Sequence, residues 1–385
     1  MLIVLLCWSA IFLLKPTQAN RHHCTLKPIG KLVTNLEDFA SYHKFADVHG
    51  VRLHYVEMGE GPLVILVHGF PELWYSWRHQ LPTIAKQGFR VVAIDQRGYG
   101  SSSKFGQTDQ YRLRCMVDDL VGLIEVLGET SATLIGHDWG AAVAWTAAWL
   151  HPNVVDGVVG IALPFSGRGQ IALPGNPFGE FPPSQIDRVI SGPDKIFYQV
   201  HFGAMSTIFD EIESDITGWL KGITWSVSGE ALAAAGYAPD GIDPVEFIRA
   251  SPMCLPPGTE MRSQFVLPKT MPEWFTEVDL TVFVDALQRS GFAGPLSYYH
   301  NMEQNWHDLE AYVGKPVQSP AMFIGGEYDV CTHWGAEAIE QAPQHIPNWL
   351  GSKIVAGAGH WIQQEKPVAT NAIIGEFLRA IHSSE

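Results

Sequence analysis

The hydrophobic pattern of this chain alternates short apolar runs with longer helical stretches from residue 43 onward. Leu63–Val67 and Arg90–Ile94 are apolar runs that end in glycine-containing turns, as expected of central strands in a parallel sheet. Residues 51–56 alternate like a half-buried strand, and residues 111–127 repeat apolar positions at helical spacing. Strands that alternate with helices predict an α/β fold, with a mostly parallel sheet and helices on both faces.

The pattern changes after a further strand signal at residues 153–161. From about Pro164 to Pro295 the chain is rich in proline and glycine, contains helical pieces such as residues 271–287, and lacks clear core strands. Strand signals return at residues 321–324 and 353–355, and a helix over residues 367–381 closes the chain. We therefore predict a signal peptide or anchor (1–19), an extension (20–42), a first core part (43–163), a helical cap (164–297) and a second core part (298–385).

The N-terminus carries an apolar run over residues 2–14. This run is shorter than the roughly 20 residues that span a bilayer, and Thr17-Gln18-Ala19 offers a small-residue cleavage site. However, no basic residue precedes the run, whereas Lys15 and Arg21 follow it, an order that favours a retained anchor. We expect a secreted or extracytoplasmic protein, with membrane association through residues 2–14 as the alternative and a mispredicted start or buried helix as the third possibility.

Composition narrows the class of protein. The formal net charge of −15 over 385 residues argues against nucleic-acid binding, which requires a clustered basic face. The 13 tryptophans suit an apolar pocket, and nothing in the sequence fixes an oligomeric state. The cysteines outside the apolar run show no CxxC spacing, so a zinc site is not indicated; up to two disulfides are permitted, with free thiols as the default: Cys24, Cys115, Cys254, Cys331.

The most informative motif is GHDWG at residues 136–140. It follows an apolar run and precedes an alanine-rich helical stretch, which is the setting of a nucleophile elbow at a strand-to-helix turn. The central residue is Asp138 rather than the usual serine. A carboxylate that attacks carbon forms an ester on the enzyme itself. The alternative is a buried or capping aspartate in a glycine-rich turn.

Candidate partners for Asp138 follow other predicted strands. Asp329 and His360 each lie just past a strand, and the order nucleophile, acid, histidine is that of α/β-hydrolases. Singly, each residue is more often structural; their joint position favours a base, His360, oriented by Asp329. In this fold the loop at HGFP (68–71) supplies an oxyanion donor, so the backbone N–H groups of Phe70 and Trp139 are the predicted oxyanion hole. The alternative for HGFP is a tight Gly-Pro turn.

Five segments, in order, resemble the soluble epoxide hydrolase family of α/β-hydrolases: HGFPELWYSWRHQLP, DQRGYGSSS, GHDWG, SGFAGPLSYYHN and AGAGHW. The resemblance runs from about His43 to the C-terminus. It implies the α/β-hydrolase fold with an inserted helical cap, an epoxide substrate opened to a vicinal diol, and no metal or organic cofactor. Phe70, Trp139 and Trp361 are the expected substrate-binding residues.

The resemblance also implies two cap tyrosines that bind and protonate the epoxide oxygen. Tyr299, within GPLSYYHN, matches the second tyrosine closely. Tyr198, within IFYQVHF, is the best match to the first, although His201 stands where the family has an aromatic residue. Tyr237 and Tyr298 are fallback candidates. A phenol with a pKa of about 10 stays protonated at neutral pH and can donate to a developing alkoxide.

Two other functions remain open from the sequence. A dehalogenase also uses an aspartate nucleophile, but haloalkane enzymes usually carry Asn at the position of Phe70, and the tyrosine pair would have no role. A non-catalytic ligand-binding protein of the same fold would not need Asp138, Asp329 and His360 together. The Trp- and Phe-rich cap predicts an apolar epoxide as substrate; fatty-acid, terpenoid, hormone-like and xenobiotic epoxides all fit.

Overall fold

A computed structural model describes residues 39–238 and 241–382, all of which belong to one compact unit. The predicted signal peptide or anchor and nearly all of the predicted extension lie outside the described residues. In the part of the chain that is described, no helix combines the length and apolarity needed to cross a bilayer. Three cysteines there are free thiols: Cys115, Cys254, Cys331.

Within the described residues, eight strands form one sheet in the order β1-β2-β4-β3-β5-β6-β9-β10, and β7 pairs only with β8. The first two strands run antiparallel to their neighbours, and the strands from β4 to β10 along that order are parallel. The strands are β1 His43–Val48, β2 Val51–Met58, β3 Leu63–Val67, β4 Arg90–Ile94, β5 Ala132–His137, β6 Val155–Ile161, β7 Ile196–Phe197, β8 Cys254–Leu255, β9 Ala321–Gly326 and β10 Trp349–Val355.

Helices cover the sheet and form most of the segment between β6 and β9. They are α1 Leu81–Lys86, α2 Leu113–Val126, α3 Trp139–Leu150, α4 Pro183–Ser191, α5 Tyr198–Gly203, α6 Ser206–Ser214, α7 Ile216–Ser226, α8 Gly229–Ala234, α9 Pro244–Ala250, α10 Glu277–Ser290, α11 Ala293–His300, α12 Met302–Asp308, α13 Val330–Trp334, α14 Ala336–His345, α15 Ile362–Glu365 and α16 Pro367–His382. Short 3₁₀ turns occupy Trp74–Trp77, Thr108–Tyr111, Gly167–Gly169, Met261–Gln264 and Glu310–Tyr312.

The central strands follow the hydrophobic pattern closely. β3 and β4 have the predicted bounds, and every residue of β3 and β5 is buried, as expected for strands covered on both faces. Helix α3 is buried over its whole length except Leu150, because its alanine- and glycine-rich sequence lets it lie close to the sheet. The parallel strands end at one edge of the sheet, which brings their carboxyl-terminal loops together.

The inserted helical segment, residues 162–320, differs from the prediction in one helix. The predicted helix over residues 271–287 begins later, as α10 at Glu277. Thr276 and Asp279 form a capping box there. These side-chain hydrogen bonds fix the start of the helix, even though the apolar spacing continues before it. The predicted cap boundary at residue 297 falls inside α11, which runs from Ala293 to His300.

Candidate active site

Asp138 occupies the turn between β5 and α3. Its backbone has φ 51° and ψ −125°, a strained conformation for a residue with a side chain. The turn also requires close backbone contact, since a Cβ on Gly140 would collide with the carbonyl oxygen of Val67. This is the geometry of a nucleophile elbow, which holds one side chain out at the carboxyl-terminal edge of the sheet.

One oxygen of the Asp138 carboxylate is held by the loop after β3. The Phe70 N–H donates to Asp138 Oδ1 over 2.8 Å. Gly69 makes this approach possible, because a Cβ there would overlap the Asp138 side chain. The second predicted donor, the Trp139 N–H, belongs to the first residue of α3, where backbone N–H groups have no partner within the helix.

His360 lies beside the other Asp138 oxygen, and Asp329 lies on the far side of the His360 ring. His360 Nδ1 is 3.0 Å from Asp329 Oδ1, and His360 Nε2 is 3.6 Å from Asp138 Oδ2. Asp329 also accepts hydrogen bonds from the Cys331 N–H at 3.1 Å and the Thr332 hydroxyl at 3.2 Å. Because the carboxylate orients Nδ1–H, Nε2 is the nitrogen that faces the nucleophile and the cavity.

The side chains of Asp138, Asp329 and His360 form a buried cluster of titratable groups. Burial alone would lower the pKa of His360, but the Asp329 charge and the hydrogen bonds to Asp138 and Asp329 raise it well above the ordinary value. The carboxylates on both sides of His360 therefore favour its protonated form while Asp138 carries its charge.

Two tyrosines line the same cavity as Asp138. Tyr198 lies at the start of α5 and Tyr299 in α11, with ring centroids 6.1 Å apart. Burial raises the pKa of both phenols well above the ordinary value, and the Asp138 charge adds to this. Both hydroxyls therefore stay protonated at neutral pH and can act as hydrogen-bond donors.

The fallback tyrosines have other environments. The Tyr298 hydroxyl donates to the carbonyl oxygen of Arg97 over 2.9 Å, away from its neighbour Tyr299. Tyr237 packs against Phe247 and His333. The structure therefore brings Tyr198 and Tyr299, the first choices from the sequence, to the cavity with Asp138.

The cavity wall is mostly apolar. Phe70 and Trp361 contribute to it, as expected for substrate-binding residues. The Trp139 side chain is fully buried and packs edge-on against Tyr299, behind the cavity surface. The remaining lining side chains are Pro71, Phe202, Ile223, Val227, Met253, Met261, Val330, Cys331 and Trp334.

A buried hydrogen bond between Glu72 and His137, next to the site, was missed by sequence reasoning. His137 Nε2 lies 2.8 Å from the His360 carbonyl oxygen, which can only accept, and His137 Nδ1 lies 2.6 Å from Glu72 Oε2. Burial raises the pKa of Glu72, but the charge and hydrogen bond of His137 lower it to about 2. Glu72 is thus held in its ionised form, and both ring nitrogens of His137 lie within hydrogen-bond distance of an oxygen acceptor.

The Glu72–His137 pair joins the three loops of the site. Glu72 also accepts the Gly69 N–H, next to Phe70, and two side-chain amides from α15. His137 precedes the nucleophile and holds the His360 backbone. The sequence feature that could have indicated this pair is its position: Glu72 lies in HGFPE and His137 in GHDWG, two motifs that were singled out for other reasons.

Comparison with known proteins identifies the family to which the chain belongs. Residues 62–180 match the family model for the alpha/beta hydrolase fold. Epoxide hydrolase B of Mycobacterium tuberculosis is 50% identical over 347 residues, covering 87% of this chain and 98% of that protein. The chain belongs to the soluble epoxide hydrolase family.

Solved structures agree with this family assignment. An epoxide hydrolase from an endophytic Streptomyces superposes with a TM-score of 0.80 at 39% identity, covering 89% of this chain and 96% of that one. Epoxide hydrolase A from Mycobacterium thermoresistibile gives 0.77 at 33% identity, with 88% and 98% covered. The predicted fold, family and enzyme class, an epoxide hydrolase, are confirmed, and the non-catalytic alternative is not supported.

Proposed function

We propose that the enzyme opens an apolar epoxide through a covalent ester on Asp138 and then hydrolyses that ester to release a vicinal diol. The observation that carries this proposal is that one apolar cavity is lined by Asp138, His360 and two tyrosines. The cavity thus combines a nucleophile, a base and two hydrogen-bond donors with the apolar walls that an epoxide side chain requires.

The first step uses the two carboxylate oxygens differently. Asp138 Oδ1 is held by the Phe70 N–H, so Oδ2 is the oxygen placed to attack a ring carbon. The C–O bond of the ring breaks as the new C–O bond to Oδ2 forms. Tyr198 and Tyr299 hold the ring oxygen, and one of them gives its proton to the developing alkoxide.

The second step follows from the change in charge at Asp138. Esterification removes the Asp138 carboxylate, whose hydrogen bond helps to raise the pKa of His360, so a protonated His360 can lose its proton and become a base. The released proton replaces the one that the tyrosine donated. His360, oriented by Asp329, then takes a proton from water, which attacks the ester carbonyl carbon.

The oxyanion of this second step forms on a pre-positioned atom. Asp138 Oδ1 becomes the ester carbonyl oxygen and then the oxyanion, and the Phe70 N–H already lies 2.8 Å from it. The Trp139 N–H is the second proposed donor. When the tetrahedral intermediate collapses, the bond to the substrate oxygen breaks and that oxygen takes the proton of the hydroxyl that came from water. This releases the diol and restores the Asp138 carboxylate and the protonated His360.

Removal of the cavity-facing hydroxyls tests the assignment of the tyrosines. We expect Tyr198→Phe and Tyr299→Phe each to lower kcat/KM by at least about 10-fold, and the double variant by roughly 10²–10⁴-fold, the usual contribution of a general acid. Diol formation from styrene oxide and from a fatty-acid epoxide is the measurement. Tyr298→Phe is the matched control, because its hydroxyl is bonded to the Arg97 carbonyl. Undiminished rates in both cavity variants would contradict the assignment.

A further inference from the structure

A thiol lies beside the buried His360–Asp329 pair. Asp329, Cys331 and His360 are the group among the described residues that could hold a metal ion, with one ligand atom from each within 4.8 Å of the others. All three residues are at least nine-tenths buried, and Cys331 and His360 line the active-site cavity. We propose that these three side chains form an inhibitory site for a thiophilic divalent cation such as Zn²⁺.

The chemistry of the three donors selects this class of ion. A thiolate, an imidazole nitrogen and a carboxylate oxygen are the ligands that Zn²⁺ prefers, whereas Mg²⁺ binds oxygen ligands alone. Around a tetrahedral ion with bonds of about 2.0–2.3 Å, ligand atoms lie about 3.3–3.8 Å apart, so side-chain shifts of about 1 Å close the site. The ion can enter through the active-site cavity, and a water molecule supplies the fourth ligand.

Binding would exchange protons for the metal. The Cys331 thiol loses its proton, and the ion takes the place of the proton between His360 Nδ1 and Asp329 Oδ1, which are 3.0 Å apart. A neutral imidazole with metal on Nδ1 keeps its remaining proton on Nε2 and cannot accept one from water. His360 is then lost as a base.

The two steps of catalysis should respond differently. Attack by Asp138 on the epoxide does not use the Nε2 lone pair, whereas ester hydrolysis does. A metal-loaded enzyme should therefore consume one equivalent of epoxide and stop as the ester. This kinetic consequence rests on the proposed function, but the metal site does not.

A Co²⁺ titration tests the site without any turnover. Wild type should develop a thiolate-to-Co²⁺ charge-transfer band that saturates at one equivalent and disappears with EDTA. Cys331→Ser, with Cys331→Ala as a second variant, should lack the band. Cys115→Ser, which changes a half-buried thiol on α2, should keep it. A band that persists in both Cys331 variants, or no band in wild type, would overturn the proposal.

Steady-state kinetics then test inhibition. Zn²⁺ should abolish multiple turnover in wild type with recovery in EDTA, while Mg²⁺ at the same concentration should not. Cys331→Ser should need at least 10-fold more Zn²⁺ for half-inhibition, relative to its own metal-free rate. Equal sensitivity of this variant and wild type would contradict the proposal. A Co²⁺ band in a protein without epoxide turnover would instead leave the site intact and reject the proposed function.

Discussion

Replacing Asp138 with Asn is expected to lower kcat on epoxides by on the order of 10⁴-fold or more, the scale of effect seen when a catalytic nucleophile is removed. The amide is neutral and a poor nucleophile, so no alkyl-enzyme can form. Its oxygen still accepts the Phe70 N–H that binds Oδ1 in the wild type, so the fold should be retained. Rapid-quench measurement of diol formation, with a thermal melt of each protein, checks the prediction.

A matched control separates the loss of the nucleophile from a general effect of the substitution. Asp156 is exposed on β6, and its replacement by Asn is the same chemical change as Asp138→Asn. Asp156→Asn should retain the wild-type rate. A fully active Asp138→Asn protein would mean that another group attacks the epoxide.

Replacing His360 with Gln should have the second-largest effect, about 10²–10⁴-fold on kcat, but with a different signature. Ester formation does not require the base, whereas ester hydrolysis does. The variant should therefore consume one equivalent of epoxide and accumulate the ester. Mass spectrometry of the Asp138 peptide should show an increase equal to the mass of the substrate.

A control variant and a second possible outcome decide how the His360→Gln result is interpreted. His151→Gln, at a partly exposed position after α3, should turn over normally and show no adduct. If His360→Gln consumes no epoxide at all, His360 is needed in the first step, and its imidazolium would then have to assist Asp138 or the ring oxygen directly.

Much of the fold was predictable because its centre is built from strands buried on both faces. Such strands appear in the sequence as unbroken apolar runs, as in Leu63–Val67. The outer strand β1 was missed, since four of its six residues are exposed and its apolar pattern is weak. The start of α10 was wrong because a local capping box, rather than hydrophobic spacing, sets it.

Some features of the site were likewise predictable from the sequence, and others were not. The proximity of Asp138, Asp329 and His360 was predictable because each follows a strand whose end is fixed by the sheet. The residues by themselves do not show whether Tyr298 or Tyr299 faces the cavity. Adjacent helical residues point about 100° apart, and the packing of the helix sets its rotation about its own axis.

Contacts across long sequence separations were harder still to anticipate. The Trp139 side chain was expected at the substrate, and the structure shows it packed edge-on against Tyr299. The Glu72–His137 pair joins residues 65 positions apart, and no local pattern encodes it.

The covalent ester on Asp138 is the central claim, and a single turnover in ¹⁸O-water tests it most directly. Water attacks the ester carbonyl carbon, so one ¹⁸O atom should appear in the Asp138 carboxylate, while the first diol carries an unlabelled oxygen from the protein. Digestion and mass spectrometry of the peptide that contains Asp138 gives the answer. Label found only in the diol, with none in Asp138, would show that water attacks the epoxide directly and would contradict the account.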